Sequence, residues 1–162
     1  MLIAIISDTH LPRGLRRLPD ACVKRLVEAD LVIHGGDFTR LPVLRELQAY
    51  TRLIAVHGNV DEYDVRAELP ATTTVDADGA TIAVVHDAGP ARERLSRLRN
   101  QFPDAAAVVF GHSHQPLHEV ADDGFQVFNP GSPTERRRAP RHTMGVAHAQ
   151  GGRLAFELID LD

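Results

Sequence analysis

Seven side chains of this 162-residue chain could hold a metal or move a proton, and each lies just beyond a run of apolar residues. After Leu2–Ile6 come Asp8 and His10, and after Leu31–Ile33 the sequence HGGD ends in Asp37. After Leu53–Val56, HGNVD contains Asn59; Ile82–Val85 runs into His86; Val108–Phe110 runs into GHSH, with His112 and His114. The His-x-His pair alone is also what chance produces in a chain with nine histidines, so the other five positions carry the argument. Carboxylate, imidazole and amide donors without a thiolate disfavour a structural zinc or an iron–sulfur site. They suit two divalent ions, Mn2+ first, with Fe2+, Co2+, Ni2+, Zn2+ or Mg2+ as alternatives, and positions left open for water and substrate.

Spacing sharpens the expectation. Residues at i and i+2 of an extended segment point to one side, so Asp8/His10 and His112/His114 should each present two ligands together. At about 3.3 Å per residue their backbones stand roughly 6–7 Å apart, enough to straddle two metals about 3.5–4 Å apart. A carboxylate has two oxygens and can bridge such a pair, which an imidazole cannot. Asp37, isolated between Gly36 and Phe38, is the natural bridge. Two divalent ions, two aspartates and a bridging hydroxide leave a cleft of roughly +1, which suits an anionic phosphoester attacked in line at phosphorus by that hydroxide.

The elements that must position these residues alternate. Leu2–Ser7 reads as a strand buried on both faces. LPDACVKRLVEA follows as a helix, with Pro19 in its first turn and Val23, Leu26 and Val27 on one stripe. DLVIHGGD is a second strand, LPVLRELQAY a second helix and RLIAVHGNVD a third strand, the pattern of a parallel α/β core. The second half changes to hairpins, turning at Asp78-Gly79, at Asp122-Asp123-Gly124 and at Gln150-Gly151-Gly152. Between the first two, GPARERLSRLRNQF is an amphipathic helix with Leu95 and Leu98 inward. Parallel units followed by hairpins predict two mixed sheets, and no linker divides them, so residues 1–162 are expected to form a single domain. In open sheets of this kind ligands bind beyond the carboxyl ends of the strands, where the seven residues fall.

Composition narrows the partners. A net charge of −4, a pI near 6.1 and 5% aromatic residues argue against a long nucleic-acid track and against attraction to an anionic membrane. MLIAIIS is too short for a signal peptide or a span and lacks a basic flank, so the expected location is cytoplasmic. The lone cysteine, Cys22, fits a reducing compartment and is expected to be buried filler.

SDTH, GGD, GNVD, His86, GHSHQP and NPGSP, in this order from Met1 to about Pro133, resemble the calcineurin-like metallophosphoesterases, most of all their small single-domain phosphodiesterase branch. The closing TMGVAHAQGGRLAFELIDL is similar to that branch's final hairpin. The resemblance implies a four-layer α/β/β/α sandwich with a two-metal site. By analogy Asp8, His10, Asp37 and His114 hold one ion, and Asp37, Asn59, His86 and His112 the other. Asn59 would also touch the phosphate, and NPGS (Asn129–Ser132) would be structural. The implied activity is hydrolysis of a small phosphodiester or phosphomonoester, with Asp37 and Asn59 in the catalytic set. Two other readings stand beside it: a non-catalytic protein-binding scaffold like the retromer subunit, which lacks part of the ligand set, and a nuclease. A homo-oligomer is expected by analogy alone.

The sequence departs from the resemblance twice. Many relatives carry a histidine after the asparagine as general acid; here that residue is Val60. Where the branch reads HGH, this chain has His86-Asp87-Ala88, so Asp87 coordinates, orients His86 or faces water. His34 and His57 precede glycines at strand ends and are expected to make structural hydrogen bonds, while His118, His142 and His148 are ordinary strand or loop residues. Asp61 should cap or orient its loop. Arg136–Arg138 is expected to be a solvated run, and also the best candidate for steering an anion.

Overall fold

The computed structural model describes all 162 residues. Ten strands form two five-stranded sheets. The first is built on β1 (Leu2–Ile6), β2 (Leu31–His34) and β3 (Leu53–Ala55), which run parallel. The second begins with the hairpin of β4 (Thr72–Ala77) and β5 (Ala80–Val85), and β5 continues in parallel to β6 (Ala107–Val109). β7 (Leu117–Val120) and β8 (Gln126–Asn129) complete it, with β8 parallel to β6. The final hairpin, β9 (Thr143–Gln150) and β10 (Arg153–Asp160), returns to the first sheet, where β9 pairs antiparallel with β1. The strand orders are β10-β9-β1-β2-β3 and β4-β5-β6-β8-β7.

Side-chain alternation makes four layers out of these sheets. Ile3 and Ile5 of β1, with Leu31 and Ile33 of β2, point at Ile82, Val84, Val109 and Phe128 of the second sheet. Each is fully buried, worth about 1.5–3 kcal/mol per side chain. The intervening Ala4, Ile6 and Val32 face outward and are covered by α1 (Asp20–Glu28), α2 (Leu41–Tyr50) and α3 (Tyr63–Glu68) through Leu26, Leu44, Leu47 and Val65. On the far side α4 (Arg94–Gln101) lays Leu98 on Ala83, Val108 and Val127. The architecture is the α/β/β/α sandwich.

Three details differ from the expectation. α1 begins at Asp20 with Pro19 in the capping position, and Val27 is 55% exposed; Cys22 takes the inward place instead. Burial pushes the Cys22 thiol up to about 12, which leaves it inert. α3 is a six-residue helix with one buried side chain, too short to show a period in the sequence. No helix is long and apolar enough to cross a membrane.

Candidate metal centre

Five parallel strands, β1, β2, β3, β5 and β6, end at one edge of the sandwich, and the loops after them bring all seven residues together. Asp37 stands in the middle. Its Oδ2 lies 3.6 Å from His10 Nε2 on one side and 3.3 Å from His86 Nε2 on the other. Beyond His10, His114 Nε2 is 3.1 Å from His10 Nε2 and 3.4 Å from Asp8 Oδ1. Beyond His86, Asn59 Oδ1 is 3.0 Å from His86 Nε2 and 2.9 Å from His112 Nδ1. Donors bound to one ion at about 2.1 Å sit about 3.0–3.4 Å apart, so these spacings fit shared cations.

The local backbone is not the extended segment that the i, i+2 spacing implied. β1 ends at Ile6 and β6 at Val109, and the site residues lie beyond them. Asp8, His10, Asp37, His112 and His114 all have left-handed φ, between 46° and 68°. Left-handed residues after each strand turn the donors inward, and His112 and His114 diverge toward different sides of Asp37. Asp and His are enriched among non-glycine residues that tolerate this region, yet each still costs of order 1 kcal/mol.

Neighbouring groups over-determine that geometry. Asp61, nearly buried, accepts from three backbone amides: Asp37 and Gly58 on Oδ2, at 3.1 and 2.7 Å, and Thr39 on Oδ1, at 2.7 Å. It therefore orients two site loops. Ser132 donates to the Asp8 carbonyl at 2.8 Å and Thr134 to the Thr9 carbonyl at 2.6 Å. Asn129 ties the NPGS loop to Gly111 through a 2.9 Å bond to its carbonyl. Two glycines make room: a Cβ at Gly58 would overlap Asp37 Oδ1, and one at Gly111 would overlap Ser7 Oγ.

Hydrogen bonds also fix which ring nitrogen faces the centre. His86 Nδ1 is paired with the Gly35 carbonyl at 2.8 Å and His114 Nδ1 with the Glu135 carbonyl. With each Nδ1–H so used, the Nε2 lone pair points inward. Asp37 Oδ1 accepts the Val60 amide at 3.0 Å, leaving Oδ2 to the site. Ligand atoms of Asp8, His114, Asp37, His86 and Asn59 thus converge, an arrangement that repels itself unless a proton on an imidazole or a cation lies between.

Electrostatics carry the same signature. Burial pushes Asp8 up to about 7, against the pull of the His86 charge. Burial also acts on Asp37, but its hydrogen bond and charge contact with His86 and the Val60 amide outweigh it, holding Asp37 down at about 2. Burial works to lower His86 too, and Asp37 and Asp8 leave it raised. Desolvation lowers His10, and takes His114 down to about 4. The donor set of carboxylate, imidazole and amide fits divalent first-row cations. Two clusters in the structure could hold an ion, Asp8–His10–His114 and Asp8–Asp37–His86.

The remaining residues sort themselves. Asp87 is exposed and accepts the Gly89 amide at 2.8 Å, so it shapes its own loop and faces water. His34 is fully buried, accepts the Gly36 amide on Nδ1 at 3.0 Å, meets Thr9 Oγ1 at 3.2 Å and stacks on Phe38. Burial takes it down to about 3, so it stays neutral. His57 makes only a long 3.4 Å contact with the next carbonyl. Arg136 donates to the Ala139 carbonyl at 3.0 Å, within its own loop. Sequence reasoning missed Glu135, whose Oε2 is 3.9 Å from His10 Nε2, and Arg16, which donates to that oxygen at 3.2 Å. They are 119 residues apart, with no local signal to join them.

Residues 1–152 match the calcineurin-like phosphoesterase superfamily domain. A probable metallophosphoesterase of Methanothermobacter thermautotrophicus is 30% identical over 161 residues, covering 98% of this chain and 92% of that protein. Among solved structures, Vps29 of Entamoeba histolytica complexed with zinc is 21% identical with a TM-score of 0.78, and both chains are covered in full. An archaeal phosphodiesterase is 23% identical with a TM-score of 0.68, covering 98% of this chain and 100% of that one. The structural likenesses speak for the fold, and the sequence matches for descent: the chain belongs to the calcineurin-like phosphoesterase superfamily.

Proposed function

We propose that the protein is a metal-dependent phosphoesterase acting on a small phosphodiester or phosphomonoester. One observation carries this reading: inward-facing lone pairs stand on both sides of a single oxygen, Asp37 Oδ2, with His10 at 3.6 Å and His86 at 3.3 Å. Asp8, His10, Asp37 and His114 would hold one divalent cation and Asp37, Asn59, His86 and His112 a second, manganese being the first choice. Such a pair supplies Lewis acidity and a nucleophile from water at neutral pH. Asp37 fixes the separation of the two positions. Asn59 presents a neutral amide at the open side, where it can donate to a phosphoryl oxygen. Asp61 holds the Asp37 and Gly58 loops in register throughout.

Metal-stripped protein given Mn2+ should hydrolyse bis(p-nitrophenyl) phosphate, and EDTA should abolish the activity. Asp37→Ala should lose both ions in a calorimetric titration and lower the rate about a thousandfold or more. Hydrolysis by that variant at the parent rate removes the reading.

The Vps29 likeness supports a second reading, a protein-binding scaffold, since the same sandwich spans both chains in full. The complete set of seven donors favours the enzyme. A metal-loaded protein inert toward mono- and diesters with each divalent ion would reverse that preference.

A further inference from the structure

Four strands stand at sheet edges, β10 and β3 in the first sheet and β4 and β7 in the second. β10 is the longest of them, eight residues with neither proline nor lysine to blunt it. Half of its backbone is already used. The Leu161 amide, continuing the hairpin register, donates to the His142 carbonyl at 3.0 Å, so odd-numbered residues turn their polar groups toward β9. Leu154, Phe156 and Leu158 therefore turn theirs to the open side, where Gln126 Nε2 donates to the Leu154 carbonyl at 3.1 Å. The side chains of these three residues face the second sheet. Phe156 stacks on Phe128 at 4.8 Å, and its ring lies 5.7 Å from that of His118. β7 nevertheless reaches past β10: His118 and Val120, on its inward face, are both exposed, Val120 at 57%. Leu158, on the same face as Phe156, is 39% exposed. A cleft of about 640 Å3 opens at the start of the edge, beside His148, Arg153 and Leu154. On the outer face of β10, Arg153 and Glu157 are exposed and make no hydrogen bond or ion pair within the chain.

Beyond the phosphoesterase reading and independent of it, we infer that the β10 edge is an acceptor groove for one extended strand of a partner protein. Its wall is the row of outward N–H and C=O groups, repeating about every 6.8 Å, a spacing that only an extended backbone matches. Its floor is the shelf of His118 and Val120. The floor also decides the occupant. Pairing β10 with β10 of a second copy would drive the two β7 shelves into one another, whereas a single strand fits above one shelf. The alternation of β10 then sets the chemistry of the ligand. Side chains opposite Leu154, Phe156 and Leu158 point to the shelf and are apolar. Those opposite Arg153 and Glu157 point to water and are acidic and basic respectively, answering two charges that have no partner within the chain.

The probe is a fluorescein-labelled peptide, Thr-Val-Lys-Val-Thr-Val-Asp-Thr. In antiparallel register it sets its valines against Leu158, Phe156 and Leu154, its lysine against Glu157 and its aspartate against Arg153. Fluorescence anisotropy with the full chain should give a Kd of about 100 µM or tighter. N-methylation of the three valine amides, which face β10, should raise that Kd about tenfold or more. N-methylation of the lysine, aspartate and central threonine, whose amides face away, should change it about threefold at most. Val120→Asp should raise the Kd about tenfold by charging the floor. Arg153→Glu should raise it about threefold or more, and a peptide with lysine in place of aspartate should recover the loss. No binding up to about 1 mM, or equal effects of the two methylation patterns, overturns the proposal. So does a free chain that sediments at twice 17.8 kDa and is returned to monomer by Val120→Asp, since the edge then belongs to a second copy. Phosphoester hydrolysis enters none of these readouts, so this inference and the phosphoesterase reading fail separately.

Discussion

The two halves of the centre are built differently. Asp8, His10 and His114 are buried and meet Asp37 from inside the sandwich edge, whereas Asn59 and His112 on the other side of Asp37 are exposed. In the buried half two of the three donors are anchored outside the centre, His114 by the Glu135 carbonyl and Asp8 by the His112 amide at 3.0 Å, with the Asp8 backbone held by Ser132; across Asp37 only His86 is so held, by the Gly35 carbonyl at 2.8 Å. In the open half Asn59 Oδ1 is the hub, and its contacts with His86 and His112 are side chain to side chain. Folding has already desolvated the first half, so a cation there replaces lost hydration. In the second half His86 is buried as well, and only Asn59 and His112 stay open to solvent. The difference teaches that the two positions should bind unequally, the buried one tightly and the open one exchangeably.

The sharpest way to break that comparison is one histidine from each half. His114→Ala should weaken Mn2+ at the tighter position about 100-fold or more, and His112→Ala should weaken the looser position about tenfold. Calorimetric titration of metal-stripped protein resolves the two classes. The opposite order would show that burial does not rank the positions.

Asp61 joins the halves, since it accepts the Asp37, Gly58 and Thr39 amides from two loops. Asp61→Ala leaves three buried N–H groups without an acceptor and should cost about 2–4 kcal/mol in urea unfolding. Asp61→Asn, which keeps an acceptor oxygen, should cost less. A loss confined to one half's affinity, with stability intact, would separate the loops that the structure couples.

The buried half should also carry a pH signature. Burial raises Asp8 to about 7 in the folded chain, against about 3.9 unfolded. Between those values the folded state holds a proton that the unfolded state has released, so metal-free stability contributed here is full below about pH 4 and lost as pH rises to about 7. Removing the ionisation with Asp8→Asn should therefore stabilise the metal-free protein at pH 8 by roughly 2–4 kcal/mol and leave it unchanged at pH 4. His34, held down at about 3, works the other way: its contribution is lost as pH falls from about 6.5 toward 3. The difference between parent and variant cancels that term. A difference that does not vary with pH would mean that Asp8 is ionised before the cation arrives.

The open and the buried halves were equally legible as residue types, and unequally as structure. Apolar runs ending in Asp, His or Asn gave the five strands and the seven positions, because a buried parallel strand and its carboxyl-end loop write both signals side by side. The left-handed turns at Asp8, His10, Asp37, His112 and His114 were not legible as turns, since non-glycine residues adopt them only when tertiary contacts insist. The enrichment of Asp and His in that region was the one signal that could have warned against an extended reading. Asp61 was legible as a loop organiser because it follows GNV by one residue. Glu135 and Arg16 were not, since their pairing depends on the NPGS loop folding back over β1. Val27 failed because α1 is short and Cys22, not a valine, completes its buried stripe.

The open half also offers the gentlest test, at Val60. Its side chain is 41% exposed beside Asn59, and its amide alone serves the site, donating to Asp37 Oδ1 at 3.0 Å. A new side chain there can change without disturbing either anchored half. No imidazole stands at this position to protonate a departing alkoxide, so slow release of a basic leaving group is expected of the parent. Val60→His should raise kcat about tenfold for an alkyl phosphate, whose leaving group needs a proton, and leave p-nitrophenyl phosphate within about twofold. Mn2+ affinity should not move, because the imidazole would stand outside the donor set. Equal acceleration of both esters would mean that the variant alters substrate positioning rather than supplying a proton. No acceleration of either would mean that water or another residue already protonates the leaving group from the exposed side.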